Sequence, residues 1–172
     1  FVDTFVVARV GYVDAVLDLC TKLKIQVVIP GAEEPAVLLS AAAGRFEARG
    51  IKVAANSTAV TRLCADKIDT FAFLERAGFA TPKSTVPATA GAIALKGPVI
   101  VKPATGSGGS SHVFYAPSAT EASIYVEFLK QQDRQALLQE YIPDDEGEFT
   151  VGVLSLPGGQ IVGSVALKRL LG

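Results

Sequence analysis

The chain has 172 residues, of which 49% are hydrophobic and 19% are charged, and its formal net charge is −1. This length accommodates one ordinary domain or two small ones with a substantial core. The near-neutral charge without a basic run argues against nucleic acid as a partner, and no apolar stretch reaches the roughly 18 residues of a membrane span, so we expect no membrane partner either.

The cysteines and the single histidine narrow the chemistry. Cys20 and Cys64 form no C-x-x-C motif and each lies in a helical pattern, so we predict buried free thiols, which fits a reducing compartment. His112 is the only histidine, which leaves little room for a histidine-based metal site or a Ser-His-Asp triad.

The first residues lack the basic start of a signal peptide, and we expect a cytoplasmic protein. The absence of methionine favours a chain that is part of a longer protein.

Strand and helix patterns alternate in the first third of the chain: strand-like residues 1–10, 25–29 and 50–53 are separated by helical residues 14–24 and 33–43. The continuous apolar run at 25–29 is typical of a parallel strand buried on both faces, and Gly44 is the expected end of the second helix. The alternation predicts a parallel α/β layer up to about residue 55. Two more helices follow, one capped by Asn56 or Ser57 and one over residues 66–77 with Gly78 as its C-cap.

The stretch at 98–115 predicts a hairpin with an oversized tip. Lys102 ends a short β-branched strand, a second strand begins at His112, and the loop between them is almost free of side chains: Gly106, Ser107, Gly108, Gly109, Ser110 and Ser111. Successive N–H groups in such a loop form an anion-binding concavity, and a lysine adds a compact charge for phosphate. Neither a P-loop nor a dinucleotide fingerprint fits, because the lysine precedes the glycines and a strand follows them. A flexible hairpin tip without a ligand remains an alternative.

The remaining residues predict a short helix at 89–95, a helix at 119–131 capped by Ser118, a strand at 136–142, and an antiparallel hairpin of 148–154 with 160–167. Four of the segments described so far follow one another along the chain in a fixed order. They are residues 66–82, residues 99–103 with the glycine loop, residues 138–142 and residues 147–151. Together they resemble the ATP-grasp superfamily, most closely the branch of the carbamoyl-phosphate synthase large chain, and residues 28–34 and 50–53 look like the domain that precedes the grasp.

The resemblance implies an α/β and α+β fold, in which a parallel Rossmann-like layer is followed by a partial ATP-grasp fold. It implies a pre-ATP-grasp domain at 1–80, a small lobe with the glycine-rich loop at 81–138, and the start of a large lobe at 139–172. ATP would be held between the two lobes with magnesium.

The resemblance also implies the site residues. Lys67 and Lys102 match the two phosphate-binding lysines, and the loop Gly106 to Ser111 would close over the phosphates. The adenine would lie at the link between the lobes, which is matched by Gln139, Glu140, Tyr141 and Ile142. The Gln139 side chain would reach the exocyclic amine, and backbone groups of Glu140 and Ile142 would pair with the adenine edge. Glu148 matches the acid that accepts from the ribose hydroxyls. The plain alternatives are an exposed helix lysine for Lys67 and an ordinary strand-start residue for Glu148.

The implied reaction activates a carboxylate or bicarbonate as an acylphosphate, which a nitrogen nucleophile then attacks. Such transfer rests on positioning and charge neutralisation, so no catalytic protein nucleophile is assigned. The metal-binding Glu and Asn of the family are expected beyond Gly172, which leaves this chain catalytically incomplete and without an assigned metal ligand. A homo-oligomer is compatible with this hypothesis. The alternatives are a catalytically inactive nucleotide-binding regulatory module and an unrelated α/β ligand-binding domain.

Overall fold

The structure, a computed structural model, describes residues 3–88, 97–106, 111–143, 145 and 147–169. The chain forms two compact units, Phe1–Glu140 and Tyr141–Gly172. Helices and sheets are mixed, as expected for a partial ATP-grasp fold. The helix predicted at 89–95 lies outside the described residues.

The first unit begins with a small α/β layer. Its elements are α1 (Tyr12–Lys22), β1 (Val27–Val28), α2 (Glu33–Ala41), α3 (Ala43–Glu47), β2 (Lys52–Val53) and α4 (Thr58–Ala65). Strands β1 and β2 pair in parallel, as the alternation of strands and helices predicts. The helices pack on these strands around five buried residues: Leu17, Cys20, Leu39, Phe46 and Ile51. Ser57 caps α4 by accepting from the N–H of Val60, which confirms the predicted cap.

Several expectations for this layer are wrong. Residues 3–8 form no strand, and the apolar run at 25–29 gives only the two residues of β1. Within the described residues this sheet has only two strands, so Val27 and Ile29 stay 50% and 76% exposed rather than buried on both faces. Gly44 lies inside α3, because the helix break occurs at Ala42. Cys64 is exposed while Cys20 is buried.

The exposure of Cys64 follows from how α4 packs on α2. The contact lies in the first turns of α4, where the hydroxyl of Thr58 donates to the Ser40 carbonyl and the hydroxyls of Thr61 and Ser40 are 2.8 Å apart. Cys64 lies in the last turn of α4, beyond these hydrogen bonds. A helical pattern alone therefore did not determine which of the two thiols is buried.

The rest of the first unit is a helix followed by an α+β sandwich. Its elements are α5 (Lys67–Arg76), β3 (Ser84–Thr85), β4 (Val99–Pro103), β5 (Phe114–Ala116), α6 (Ala119–Lys130) and β6 (Ala136–Glu140). The four strands form one antiparallel sheet in the order β3-β6-β4-β5, so the predicted hairpin of β4 and β5 is confirmed. Helix α6, capped by Ser118, covers one face of this sheet through a buried cluster: Val99, Val101, Ala116, Ala122, Val126, Leu129, Ala136 and Leu138.

The second unit is an antiparallel hairpin, as predicted. Strands β7 (Glu148–Ser155) and β8 (Ile161–Arg169) pair from Glu148 opposite Arg169 onward, with one register shift between Leu154 and Ser155. Almost every residue of both strands is exposed. Over the part of the chain that the structure describes, no helix combines the length and the apolar character needed to span a bilayer.

Candidate functional site

The candidate site lies on the face of the four-stranded sheet that α6 does not cover. Val99 and Val101 of β4 point into the core under α6, so the alternation of a strand places Ile100 and Lys102 on the opposite face. The register pairs Ile100 with Gln139 and Lys102 with Leu137. The sheet therefore presents the strand-end lysine beside the last residues of β6.

Lys102 is held in place by two contacts. Its Nζ donates a hydrogen bond of 2.7 Å to Oε1 of Gln139, and it lies 5.8 Å from the ring centroid of Phe71 on α5. Burial, and secondarily the charge of Lys67, lower the pKa of Lys102 from its ordinary value of 10.5. The protein thus keeps a partly desolvated cation on this face and brings a second cation close to it.

Lys67 reaches this region because the start of α5 is joined to the end of β4. Asp66 caps α5 by accepting from the N–H groups of Ile68 (2.7 Å) and Asp69 (3.3 Å). The N–H of Lys67 donates to the Ala104 carbonyl at 3.0 Å, and Asp66 forms an isolated antiparallel bridge with Thr105. The two lysines expected from the sequence therefore lie on two elements that meet where the glycine-rich loop begins.

The start of the glycine-rich loop is anchored to the segment between α6 and β6. Gly106 has a left-handed φ of 64°, and its carbonyl accepts from Arg134 at 3.4 Å. The N–H of Ala104 donates to the Gln135 carbonyl at 2.9 Å. Ser111 is an exposed turn residue, whereas Ser107, Gly108, Gly109 and Ser110 lie outside the described residues. The anchored base fixes where the loop leaves the sheet.

The expected adenine residues lie at and after the end of β6. Gln139 is 8% exposed, and its Nε2 donates to the Ser84 hydroxyl at 2.9 Å. Glu140 is held by Lys83, because its N–H donates to the Lys83 carbonyl and its Oε1 accepts from the Lys83 N–H. In the second unit, Tyr141 and Ile142 are exposed. Their roles toward a nucleotide stay predictions.

Glu148 opens β7 and forms an ion pair with Arg169, the last residue of β8. Both side chains are somewhat more than 40% exposed. This pairing gives Glu148 a defined position on its own hairpin, and its predicted contact with ribose stays a prediction.

A pocket of about 740 Å³ adjoins the base of the glycine-rich loop. It is lined by the first turn of α2, by α4, and by Asp66, Thr105 and Gly106. Two of its arginines were not predicted as site residues. Arg9 binds Glu34 at 2.8 Å, and Arg62 lines the wall from α4. For Arg9, the only signal in the sequence was that it interrupts an otherwise apolar run at 5–10. For Arg62, no signal in the sequence indicated a role in a site.

The described residues offer no metal site of their own. Within the ranges given above, no group of three or more His, Cys, Asp and Glu side chains is placed to hold a metal ion. Magnesium at a nucleotide site is usually held by one or two carboxylates together with the substrate phosphates and water. We therefore assign no metal ligand and no metal-dependent step to the described residues.

Solved structures with the same fold include several ligases and carboxylases. The biotin carboxylase domain of 2-oxoglutarate carboxylase from Hydrogenobacter thermophilus matches with a TM-score of 0.64 and 24% identity over 82% of this chain and 34% of that one. An L-amino acid ligase from Bacillus licheniformis matches with a TM-score of 0.66 and 19% identity over 96% and 38%, respectively. D-alanine–D-alanine ligase from Bacillus anthracis complexed with ATP matches with a TM-score of 0.61 and 18% identity over 91% of this chain and 53% of that one.

The chain thus spans between about a third and just over half of the length of these structures, and at such identities the likeness establishes the fold. No curated protein matches the sequence significantly. The sequence profile described as the ATP-grasp domain matches residues 64–158, which is more than half of the chain and includes both lysines, the glycine-rich loop and β6. The chain belongs to the ATP-grasp family.

Proposed function

We propose that this chain supplies the phosphate-binding part of an ATP-dependent ligase, which activates a carboxylate or bicarbonate as an acylphosphate for attack by a nitrogen nucleophile. The observation that carries the proposal is the meeting of Lys67 and Lys102 at the base of the glycine-rich loop. Two cations beside a loop rich in N–H groups suit a polyphosphate better than a singly charged ligand. The family assignment sets aside the unrelated α/β ligand-binding domain.

In the proposed reaction, an oxygen of the acid attacks the γ-phosphorus of ATP and ADP leaves, after which the nitrogen displaces phosphate from the acyl carbon. Lys67 and Lys102 would bind phosphate oxygens and neutralise charge as it develops. The loop that begins at Gly106 would exclude water from the acylphosphate. Glu140 and Ile142 would pair with adenine through their backbone, and Glu148 would accept from the ribose.

The acceptor acid would bind in the pocket beside the loop base. That pocket shares Asp66, Thr105 and Gly106 with the proposed phosphate site, so an acid bound there lies next to the phosphates. The wall also carries Glu33, Glu34 and Asp66, and Arg9 is paired with Glu34, so Arg62 is the group there that would pair with the carboxylate of the acid. Similarity to biotin carboxylase and to amino acid ligases supports bicarbonate and amino acids as the first candidates, and the narrower resemblance to carbamoyl-phosphate synthase stays a prediction.

The test is ADP release by the complete protein with magnesium, ATP and a panel of amino acids or bicarbonate, with hydroxylamine added to trap an acylphosphate as the hydroxamate. We expect acid-dependent ADP release that is lost in Lys102→Ala and kept in Lys22→Ala, which removes an exposed lysine of α1. ATP binding without ADP release or hydroxamate under any acid would favour the regulatory module. No ATP binding by the complete protein would refute the proposal.

A further inference from the structure

A hydrogen-bonded chain of three residues runs across the sheet to Lys102. The Ser84 hydroxyl donates to the Pro82 carbonyl at 2.9 Å and accepts from Nε2 of Gln139, also at 2.9 Å. Oε1 of Gln139 then accepts from Nζ of Lys102 at 2.7 Å. Each link joins a different strand or strand end, because Ser84 lies on β3, Gln139 on the central β6 and Lys102 on β4.

The chemistry of the groups fixes the direction of this chain. An ammonium can only donate, so it requires the oxygen of the Gln139 amide. The opposite amide orientation would place an NH₂ group against the ammonium and leave the Pro82 carbonyl without the Ser84 hydroxyl. Each end of the amide is therefore engaged by one hydrogen bond, and only 8% of Gln139 remains exposed. Little of this side chain is left to contact a nucleobase.

We infer that Gln139, oriented by Ser84, is a positioning residue that aims the Lys102 ammonium at the nucleotide phosphates, rather than a contact to adenine. This inference rests on the proposed function and refines it. The desolvation of Lys102 and its repulsion by Lys67 both favour rotamers in which the ammonium points out of the site, toward water. An acceptor at 2.7 Å on a central, buried strand holds it in place. The same acceptor, a neutral amide, leaves the full positive charge of Lys102 for the phosphates.

The test compares ATP with adenosine, because only ATP contacts the lysine through phosphate. The complete protein is titrated calorimetrically with each ligand as wild type, Gln139→Leu, Gln139→Glu and Ser84→Ala. We expect Gln139→Leu to weaken ATP binding about tenfold or more while adenosine affinity changes less than about twofold, since a hydrogen bond to a charged group is lost. Ser84→Ala should reproduce the ATP-selective loss more weakly.

Gln139→Glu separates positioning from a general loss of structure. A carboxylate also accepts from the ammonium, and the Ser84 hydroxyl can rotate to donate to it, so we expect this variant to keep Lys102 in place. Because its negative charge offsets the positive charge of the lysine, its ATP affinity should lie between those of the wild type and Gln139→Leu, with adenosine affinity unchanged. Matched controls are Gln132→Leu, which removes an exposed amide, and Thr85→Ala, next to Ser84 on β3. Both should bind ATP like the wild type.

Equal weakening of ATP and adenosine by Gln139→Leu would overturn the inference in favour of a base contact. Unchanged ATP binding in a folded Gln139→Leu variant, verified by thermal unfolding, would also overturn it. If the wild-type protein binds ATP in the same experiment, neither of these two results contradicts the proposed function. Failure of the wild type to bind ATP would instead refute the proposed function, and this role with it.

Discussion

Replacing Lys102 by methionine tests how the protein holds a cation in a partly buried place. The substitution keeps an unbranched stem and removes the ammonium. It leaves Oε1 of Gln139 without its donor, which costs about 1–3 kcal/mol of unfolding free energy, and removes a cation–π contact of about 0.5–1 kcal/mol. It also removes the desolvation of the charge and its repulsion by Lys67, which act in the opposite direction. These effects offset each other near neutral pH, so we expect a net change of at most about 2 kcal/mol in either direction.

The pH dependence gives the sharper result. The pKa of Lys102 is lowered in the folded protein, first by burial and then by Lys67, so the folded state releases this proton before the unfolded state does. The unfolding free energy therefore increases as the pH rises from the lowered pKa of Lys102 in the folded protein to its ordinary pKa of 10.5. One proton changes the unfolding free energy by at most about 1.4 kcal/mol per pH unit. Lys102→Met removes this rise.

The assay is urea unfolding at a series of pH values from about 7 to about 10. The unfolding free energy of the wild type should increase relative to Lys102→Met toward the alkaline end. Lys22→Met, which loses an exposed lysine, should follow the wild type. If the curves of the wild type and Lys102→Met stay parallel over the whole range, Lys102 is not a destabilised cation and the reasoning is refuted.

Three other substitutions test separate parts of the structure. Asp66→Ala removes the cap of α5 and should cost about 1 kcal/mol in urea unfolding and weaken ATP binding in calorimetry, whereas loss of stability with unchanged ATP affinity would separate the cap from the site. Leu138→Ala removes a fully buried side chain under α6 and should cost about 2–5 kcal/mol in the same unfolding assay, against less than about 1 kcal/mol for the partly exposed Leu23→Ala. Arg62→Ala should raise the KM of the acceptor acid about tenfold in the ADP-release assay without changing ATP affinity, and an unchanged KM would place the acid elsewhere.

Local signals in the sequence predicted the helices and their caps well. Ser57 and Ser118, which were predicted as caps, each accept a hydrogen bond from the first turn of the helix that follows, and capping depends on a few neighbouring residues. Asp66, expected as the first residue of its helix, is instead the cap of α5. The strands of the first layer were predicted too long. The apolar run at 25–29 has the composition of a buried strand, but strand length depends on pairing partners, and β1 pairs only with β2 among the described residues.

Candidate site residues could be recognised from the sequence where a single segment carries them. Lys102 precedes the glycines, and Lys67 lies at the start of a helical pattern, and both features are visible in the sequence. The hydrogen bond from Lys102 to Gln139 joins residues 37 positions apart and depends on the register of β4 against β6, which no local pattern specifies. The pocket at the loop base combines residues from α2, α4 and the end of β4, so Arg62 became a candidate only once these elements were placed together.

The claim that Lys67 and Lys102 form one phosphate site is tested most directly by a double-mutant cycle. The complete protein is titrated with ATP and with adenosine as wild type, Lys67→Ala, Lys102→Ala and the double variant. We expect each single variant to lose about tenfold or more in ATP affinity and almost none for adenosine, with non-additive losses in the double variant because the charges share a ligand. ATP affinity in the double variant equal to that of the wild type would contradict the assignment of this site.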